Sequence, residues 1–578
     1  MMADPDLVLL HPPSVYDFRR RFAMYGPISD VIPSTPIFEM YPLGYVSLVS
    51  YLEEHGYHAR IINLAVKMLK DPKLDVERLI ERLNPKAFGI DLHWLVHAAG
   101  ALDVAALVKR IHPDIPIILG GLSATYYHRE IIEDYPQVDY VLRGDSTEEP
   151  LLRLMEHIER GSEPVDVENL TWRSRDGRRR INPFTYVPES LDELTLDYGA
   201  MVRLVLRHRD LESHLPYENF MDYPFTALLT CKGCLYNCVT CGGSRYAFKN
   251  FFNRPKPAFK SPERLVEEMA VVSEYFHSPI FLLGDLRQGG RGYAEAVLEG
   301  IRREGIDNTI TLELFTPAPR WYLDKMARCC GSFTLEISPE SHDDEIRRRQ
   351  GRPYSTGEME RCIRNALKLG CERFDVFFMI GLPGQSYESA LKSVEYSRSL
   401  LKRLGDGRIH PFIAPLSPFL DPGSLAFENP DEYGYRRLYT TLTEHREALY
   451  QPCWKLFLNY ETRWMSRDEI AEATYEAMLR MNRVKREFSL VDEERAKRVE
   501  EGLKLARWVM HRIDEINAKV SDPEEREKRY EELREEVERA RRWTWEGKRE
   551  LRVTERAGIR LKGVLKHLLG LARRLRGE

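Results

Sequence analysis

The sequence of 578 residues lacks any long apolar run, and no stretch reaches the roughly 18 apolar residues that a membrane-spanning helix needs. It also lacks the features of a signal peptide, because residues 1–6 are acidic and neither a basic region nor an apolar stretch accompanies them. Both absences predict a cytoplasmic protein. Any membrane contact would then be peripheral, at the inner face of the bilayer.

A large excess of charge of one sign is also missing. The chain has 85 Lys and Arg residues against 90 Asp and Glu residues, which gives a net charge of −5. A nearly neutral molecule has no overall attraction to nucleic acid, so we expect no nucleic-acid partner. No internal repeat is visible either, and a length of 578 residues predicts roughly three domains at about 150 residues each.

Cysteine is scarce, with nine residues, and in a cytoplasmic protein these are thiols or metal ligands rather than disulfides. Four of the nine fall within eleven residues, from Cys231 to Cys241. The other five follow no ligand spacing and are predicted to be buried thiols rather than ligands of a second cluster. These five are Cys329, Cys330, Cys362, Cys371 and Cys453.

The first 165 residues alternate short apolar strands with helical segments. The predicted strands are 7–10, 59–64, 87–90, 115–119 and 138–142. This alternation predicts an α/β domain with a doubly wound parallel sheet. Such sheets bind ligands at the carboxyl ends of their strands.

The remaining chain divides into three parts. We predict a connector with a small hairpin over 166–222, a partial (β/α) barrel over 223–425 and an α-helical region over 426–578. The predicted barrel strands are 226–230, 280–283, 309–315, 332–337 and 374–380. A capping box begins a helix at Ser466, and Asp522 is predicted to cap another.

The cysteine cluster contains a C-x3-C-x2-C loop formed by Cys234, Cys238 and Cys241, directly after a predicted buried strand. Three thiolates at this spacing can bind one face of a [4Fe-4S] cluster and leave the fourth iron open. The alternative is a zinc knuckle that uses all four cysteines. Its two C-x2-C pairs would be three residues apart, whereas zinc ribbons usually have roughly 12 to 20 residues between them.

The C-x3-C-x2-C loop after the first barrel strand resembles the signature of radical S-adenosylmethionine (SAM) enzymes. Residues 337–341, 351–353 and 378–385 look like later segments of the same family. The resemblance implies that SAM binds the open iron through its amino and carboxylate groups and is cleaved to methionine and a 5′-deoxyadenosyl radical. It also implies a one-electron donor such as ferredoxin or flavodoxin.

The resemblance further implies which residues contact SAM. Gly242, Gly243, Glu340 and Ser341 occupy matched segments. The methionine-binding Gly-Gly-Glu segment of the family is replaced here, and Asp285 stands nearest to its place, so Asp285 is a candidate partner of the SAM ammonium. The sequence also departs from the family at 240, where threonine replaces the common aromatic residue.

The amino-terminal part resembles the cobalamin-binding subfamily of radical SAM enzymes through 42–44, 120–121 and 138–145. In that subfamily the domain holds cobalamin over the barrel mouth. The candidates for contact with cobalamin lie in loops at the strand ends: Pro13, Ser14, Leu43, Gly44, His93, Trp94, Gly120, Gly121 and Ser123.

The loop after the first strand departs from the usual cobalamin motif. It starts His11-Pro12-Pro13 instead of carrying Asp-x-His-x-x-Gly, so the resemblance implies a cobalt ion without a protein histidine ligand. A domain that has lost cobalamin and only shapes the pocket is the alternative.

The last 28 residues, 551–578, are predicted to form a basic amphipathic helix with eight basic and two acidic residues. This pattern is typical of helices at an anionic membrane surface, and docking of the leucine face on the protein itself is equally compatible with it. Together with the radical chemistry, it leads to the hypothesis of C–C bond formation on an isoprenoid membrane lipid, similar to the archaeal tetraether-lipid ring synthases.

Two alternatives to the lipid hypothesis remain at this stage. The first is cobalamin-dependent methylation of an unactivated carbon in a small molecule or peptide. The second is a nonenzymatic zinc- or cobalamin-binding module, because a doubly wound fold by itself decides little about function.

Overall fold

The computed structural model describes residues 4–21, 38–218, 220–221, 225–416, 419–541 and 558–560. Among the helices in these ranges, none is both long and apolar enough to cross a membrane. Most of the predicted amphipathic helix at 551–578 lies outside the described residues.

The first sheet has seven strands in the order β2-β1-β3-β4-β5-β6-β7. Their bounds are β1 Leu7–His11, β2 Ala59–Asn63, β3 Ala87–Asp91, β4 Ile117–Gly120, β5 Tyr140–Leu142, β6 Leu170–Arg173 and β7 Arg179–Ile181. The first five strands are parallel, which confirms the predicted doubly wound sheet. The direction of winding reverses between β1 and β3, and this switch point opens a crevice at their carboxyl ends.

The hairpin that we predicted in the connector is formed by β6 and β7. It does not stand alone, because β6 pairs antiparallel with β5 and extends the first sheet. The sequence pattern located the hairpin and did not reveal its partner, since strand pairing over a distance leaves no local signal.

The remaining strands follow in chain order: β8 Thr226–Leu229, β9 Cys231–Lys232, β10 Ala258–Phe259, β11 Phe276–His277, β12 Ile280–Leu283, β13 Ile310–Leu314, β14 Phe333–Glu340, β15 Arg373–Ile380, β16 Ile409–Pro415, β17 Tyr435–Arg437, β18 Tyr460–Thr462 and β19 Gly558–Ile559. Six of them form a parallel sheet in the order β16-β15-β14-β13-β12-β8, which confirms the predicted partial barrel.

Strand β16 was missing from the sequence prediction. It contains Pro411 and Pro415, and proline argues against a central strand because it has no N–H group to donate. In the structure β16 is an edge strand that pairs only with β15 in this sheet, so the proline residues leave no partner unsatisfied on the outer side.

The helices cover both faces of the first sheet and the outside of the second: α1 Gly44–Glu54, α2 Leu64–Lys70, α3 Val76–Glu81, α4 Ala98–Ile111, α5 Leu122–Tyr126, α6 His128–Asp134, α7 Glu148–Arg160, α8 Tyr198–His208, α9 Arg245–Phe251, α10 Pro262–Tyr275, α11 Arg291–Arg303, α12 Arg320–Cys329, α13 Asp344–Arg349, α14 Thr356–Lys368, α15 Tyr387–Leu404, α16 Leu425–Glu428, α17 Pro430–Tyr433, α18 Leu442–Ala448, α19 Arg467–Glu487, α20 Glu493–Lys519 and α21 Pro523–Arg541.

The carboxyl-terminal helices begin as their capping residues predict. The Ser466 hydroxyl and the Glu469 side chain form a reciprocal capping box at the start of α19. Asp522 Oδ2 accepts the Glu525 N–H at 2.8 Å at the start of α21. Helix α19 packs on α15 and β16, so this region covers the open edge of the barrel.

The prediction of one continuous helix over 551–578 is wrong at Gly558–Ile559. These residues form β19 and pair antiparallel with β11, and the Arg560 guanidinium donates to Asp307 Oδ1 at 2.6 Å. The edge of β11 offers hydrogen-bond partners that a helix would leave unused, and glycine has a low helix propensity. Residues 561–578 lie outside the described part of the chain.

Candidate active site

The three cysteines of the C-x3-C-x2-C motif lie in the loop between β9 and α9. Two backbone N–H groups point at their sulfur atoms: Tyr236 N–H donates to Cys234 Sγ at 3.4 Å, and Gly243 N–H donates to Cys241 Sγ at 3.3 Å. Such N–H donors favour the thiolate form that a cluster needs, although burial and the nearby Glu340 and Cys234 raise the pKa of the Cys238 thiol to about 11. The donor set therefore fits a [4Fe-4S] cluster held on three corners.

Cys231 precedes this group and begins β9. Its sulfur contacts the Thr230 hydroxyl at 3.7 Å and the Gly233 carbonyl at 3.8 Å. Burial raises the pKa of Cys231 to about 12, so it is a neutral thiol in this setting. These contacts agree with the expectation that Cys231 is not a cluster ligand.

The cluster loop is pressed against the segment that follows α13. A Cβ atom at Gly351 would lie 2.6 Å from the Asn237 carbonyl oxygen, so only glycine permits this approach. The Gln350 side-chain amide donates to the Thr240 hydroxyl at 2.6 Å. Thr240 stands where the family usually has an aromatic residue. Its buried hydroxyl thus attaches the cluster loop to Gln350.

Glu340 stands at the end of β14 with a left-handed backbone (φ = 65°) and is only 4% exposed. Its Oε1 accepts two hydrogen bonds from Arg352, at 3.0 Å from Nε and 2.9 Å from Nη2. Its Oε2 is buried and has no hydrogen-bond partner among the described residues. A buried carboxylate with one free oxygen is suited to accept hydrogen bonds from a ligand.

Arg352 links Glu340 to the cluster loop. Its guanidinium group lies over the Phe315 ring at 5.8 Å, and its charge opposes the rise in the pKa of the Cys234 and Cys238 thiols that burial causes. The neighbouring candidate Ser341 is buried, and its hydroxyl accepts the Asp343 N–H at 3.1 Å.

The predicted SAM contacts Gly242 and Gly243 lie at the carboxyl end of the cluster loop. Gly242 N–H donates to Asp421 Oδ2 at 2.9 Å, and a Cβ atom at 242 would lie 2.8 Å from Asp421 Cβ. Burial raises the pKa of Asp421 to about 6. Sequence reasoning missed Asp421 because it is a single acidic residue in a loop far along the chain.

Asp285 is a poorer candidate for the SAM ammonium than we expected. Both of its oxygens accept hydrogen bonds from the Arg287 guanidinium group, and Oδ2 also accepts the Phe315 N–H at 3.0 Å. Its role is to fix the turn after β12. The nearby Glu313 Oε2 accepts the Gly284 N–H at 2.9 Å.

The interior of the barrel carries a row of titratable side chains. Glu313, Glu336, Asp375 and His410 stand opposite one another on four adjacent strands, β13 to β16. Burial and the charges of Glu313 and Asp375 raise the pKa of Glu336 well above its usual value. Arg373 Nε donates to Asp375 at 2.7 Å. Burial raises the pKa values of Glu313 and Asp375 as well.

Aromatic side chains border this row. The rings of Phe377 and Phe412 are stacked with centroids 5.0 Å apart, and the Lys485 ammonium lies 4.0 Å from the Phe412 centroid. The barrel interior therefore combines an apolar wall with hydrogen-bonding groups, which is the usual composition of a small-molecule site.

Across from the cluster loop lies the carboxyl edge of the first sheet, where most of the predicted cobalamin contacts are found. Pro13 and Ser14 are buried, and the Ser14 hydroxyl accepts the Phe38 N–H at 3.0 Å, so neither offers its side chain to a ligand. A Cβ atom at Gly44 would meet no atom within 4 Å, so open space lies beside it, next to the half-buried Leu43.

The Gly120–Gly121 turn follows β4 at the same edge. Gly120 has only the Leu142 carbonyl oxygen near its Cβ position, at 3.9 Å, whereas a Cβ atom at Gly121 would lie 2.6 Å from His93 Cα. The Ser123 hydroxyl donates to the His93 carbonyl at 3.1 Å. The half-buried His93 and Trp94 rings meet edge to face at 4.7 Å above this turn. An open edge that the backbone approaches closely fits a flat ligand such as a corrin.

Buried ion pairs and hydrogen bonds hold this edge against the barrel. Arg254 donates to Asp145 Oδ1 at 3.0 Å, with both side chains almost fully buried. Lys232, which directly precedes the cluster loop in β9, donates to Ser146 Oγ at 3.3 Å. The segments on either side of the cluster loop are thus in contact with the carboxyl edge of the first sheet.

Two known families match this chain. Residues 31–152 match the B12 binding domain, and residues 228–396 match the Radical SAM superfamily. The protein is therefore a radical SAM enzyme with an amino-terminal B12-binding domain, which confirms the predicted class and excludes a nonenzymatic module. Its cofactors are those of the two domains: a [4Fe-4S] cluster, SAM and cobalamin.

Among curated relatives, the chain is 23% identical to an uncharacterized methyltransferase of Pyrococcus horikoshii, over 68% of this chain and 78% of the relative. It is 22% identical to cytidylyl-2-hydroxyethylphosphonate methyltransferase of Streptomyces wedmorensis, over 69% of this chain and 81% of the relative. The fold resembles that of TsrM, a radical SAM methyltransferase of Kitasatospora setae solved with cobalamin and a [4Fe-4S] cluster, with a TM-score of 0.55, 15% identity and coverage of 85% and 90% of the two chains.

Proposed function

We propose that this protein is a cobalamin-dependent radical SAM methyltransferase that replaces a hydrogen atom on an unactivated carbon of a small polar molecule or peptide with a methyl group. The observation that carries the proposal is the contact between the carboxyl edge of the first sheet and the segments that flank the cluster loop, made by Arg254–Asp145 and Lys232–Ser146. The names of the two curated relatives support it as well, since both are methyltransferases.

When bound, the cluster, SAM and cobalamin supply the electron, the hydrogen-abstracting radical and the methyl group. In this proposal Cys234, Cys238 and Cys241 bind the cluster, and Gly242 and Gly243 leave room for SAM beside it. Glu340 Oε2 accepts a hydrogen bond from SAM. The Ser341 hydroxyl accepts the Asp343 N–H and so holds the segment next to Glu340 in place.

The barrel interior would orient the substrate. The stacked Phe377 and Phe412 rings exclude water from the apolar side of the site. Burial and two neighbouring carboxylates raise the pKa of Glu336 well above its usual value, which favours its protonated form. A protonated carboxyl group can donate a hydrogen bond to a substrate oxygen.

The charged row also bears on the choice between methylation and the lipid hypothesis. A saturated isoprenoid chain would desolvate Glu313, Glu336 and Asp375 without offering them any hydrogen bond, which is costly. A polar substrate satisfies them. The row therefore favours the methyltransferase over ring formation on a membrane lipid.

The function can be tested with anaerobically purified, reconstituted full-length enzyme, a chemical reductant, cobalamin and SAM that carries a trideuterated methyl group. We expect 5′-deoxyadenosine, S-adenosylhomocysteine and a trideuteromethyl group on a compound from a small-molecule extract, detected by mass spectrometry. The variant Cys238→Ala should form none of them. A product that has lost hydrogen and gained no deuterium would contradict methyl transfer and support C–C bond formation.

Membrane contact through 561–578 is tested separately, because those residues lie outside the described part of the chain. A truncation after Arg560 keeps the pairing of β19 with β11. If the lipid hypothesis holds, the full-length protein binds anionic liposomes in a salt-sensitive manner and the truncated protein does not, since each basic residue contributes on the order of 1 kcal/mol at such a surface. Equal binding by both proteins would remove the physical support for a lipid substrate.

A further inference from the structure

The switch point of the first sheet brings three histidines to one crevice. His11 ends β1, and His93 and His97 follow β3, the strand on the other side of the switch point. Ligands of doubly wound sheets bind at such crevices. The exposure and the hydrogen bonds of the three side chains decide which of them can contact a ligand there.

The side chains of two of the three histidines are buried in the protein interior. His11 is fully buried, and its Nδ1 lies 2.8 Å from Asp91 Oδ1. His97 is also fully buried, and its Nε2 is hydrogen-bonded with the Phe38 carbonyl oxygen at 2.9 Å. The remaining ring nitrogens, His11 Nε2 and His97 Nδ1, are also buried, so neither imidazole is exposed at the crevice.

His93 differs from both in its surroundings. Its side chain is only partly buried, and within the described ranges its ring makes an edge contact with Trp94 and accepts or donates no hydrogen bond. A neutral imidazole has a lone pair free for a metal ion.

The backbone of His93 is held firmly in place. The N–H and the hydroxyl of Ser123 both donate to the His93 carbonyl oxygen, at 3.2 Å and 3.1 Å. The Gly121 Cα packs directly on the other side, since a Cβ atom there would lie 2.6 Å from His93 Cα. The ring is thus carried on a fixed segment, as a metal ligand should be.

The cluster loop approaches the same edge of the first sheet. Lys232, which directly precedes that loop in β9, donates to Ser146 Oγ at 3.3 Å, and Ser146 follows β5. His93 follows β3 at the same edge. A ligand bound at this edge would contact His93 from the sheet side.

We propose that an imidazole nitrogen of His93 is the axial ligand of the cobalt ion of cobalamin, on the face of the corrin that is turned toward the first sheet. The inference rests on the proposed use of cobalamin, and it revises the expectation, drawn from the loop after β1, that no protein histidine binds cobalt. The new Co–N bond replaces either a water molecule or the cofactor's own base on that face.

The test uses the full-length protein reconstituted with cobalamin, desalted, and reduced to the Co(II) state for electron paramagnetic resonance. An axial nitrogen-14 splits each cobalt line into three. We expect this splitting in the wild type, and we expect two lines instead of three in protein prepared with nitrogen-15 histidine. The His93→Ala variant should lose the protein-derived splitting while its [4Fe-4S] absorption stays unchanged.

The matched control is His112→Gln. His112 follows α4 at the opposite edge of the sheet, where its Nε2 is hydrogen-bonded with the Ile80 carbonyl oxygen, and its loss should leave the splitting intact. Bound cobalamin whose spectrum lacks nitrogen splitting, or keeps three lines after histidine labelling, would overturn the inference and leave the proposed methyl transfer standing. Wild-type protein that retains no cobalamin would overturn both.

Discussion

At the scale of single residues, Glu340 has a left-handed backbone (φ = 65°) that costs a non-glycine residue about 1–3 kcal/mol. The strain is maintained beside a buried carboxylate oxygen that has no partner among the described residues. Arg352 holds the other oxygen. Strain and a free acceptor at one residue are typical of a binding site that is formed before its ligand arrives.

The variant Glu340→Gln should bind SAM roughly 10- to 100-fold more weakly, because a hydrogen bond to a charged group contributes about 1.5–3 kcal/mol. The cluster absorption should not change, since Glu340 is not a cluster ligand. Equilibrium dialysis with labelled SAM on reconstituted protein measures the affinity. Glu345→Gln, on the exposed face of α13, is the control. Equal SAM affinity in both variants would exclude Glu340 as a SAM contact.

The cysteines allow a second test at this scale. We expect Cys234→Ala, Cys238→Ala and Cys241→Ala each to lose the iron–sulfur absorption and 5′-deoxyadenosine formation, because an incomplete set of three ligands cannot hold the cluster. Cys231→Ala should keep both, since its sulfur contacts Thr230 and Gly233 instead. Iron and sulfide analysis after anaerobic reconstitution gives the readout. Loss of iron from the Cys231 variant would reassign the ligands.

At the scale of elements, the turn after β4 shows how two adjacent glycines can serve different purposes. Gly121 has a φ of 115° and packs against the His93 backbone, whereas Gly120 borders open space. Only the second glycine of the pair has a backbone conformation and a close contact that other residues would not tolerate. Its close approach fixes the segment that carries His93.

Gly121→Ala should lower the free energy of unfolding by about 1–3 kcal/mol or more, because alanine is strained at this φ and its Cβ atom collides with backbone that has little room to move. Gly120→Ala is the matched control and should change it by less than about 1 kcal/mol. Thermal denaturation of the two variants provides the comparison. Equal melting temperatures would mean that the β3 and β4 loops adjust independently.

At the scale of the whole molecule, the two family domains share a buried polar interface. Arg254 and Asp145 form a buried ion pair across it. The carboxyl-terminal helical region also contacts the first domain, because the Glu130 carboxylate accepts the N–H groups of Leu442 and Thr443 and so caps α18. These contacts tie the first domain to the rest of the chain, and a reaction between two cofactors requires such a fixed arrangement.

Asp145→Asn should destabilise the protein by about 3–5 kcal/mol, because it leaves the buried Arg254 guanidinium without its counter-charge. The exposed pair Arg160–Glu156 supplies the control: Glu156→Gln removes a surface ion pair and should cost less than about 1 kcal/mol. Denaturant titration of both variants, followed by fluorescence, tests this. A small loss for Asp145→Asn would indicate that water reaches the interface.

The sequence by itself determined the features that depend on neighbours along the chain. The strand–helix alternation, the capping residues at Ser466 and Asp522 and the C-x3-C-x2-C loop are local patterns, since the spacing of side chains along a strand, a helix or a loop decides which of them share a face or a ligand. These patterns were enough to predict both sheets and the family.

Only the tertiary structure decided the features that depend on residues far apart in the chain. Strand β16 exists because an edge position tolerates its prolines, and β19 exists because β11 offers it a partner. Asp285 is a poorer candidate for the SAM ammonium than its position in the sequence suggests, because the Arg287 guanidinium group already occupies its oxygens. In the same way, His93 is partly exposed whereas His11 and His97 are fully buried. Hydrogen-bond partners and burial are set by packing across the fold, and no local pattern encodes them.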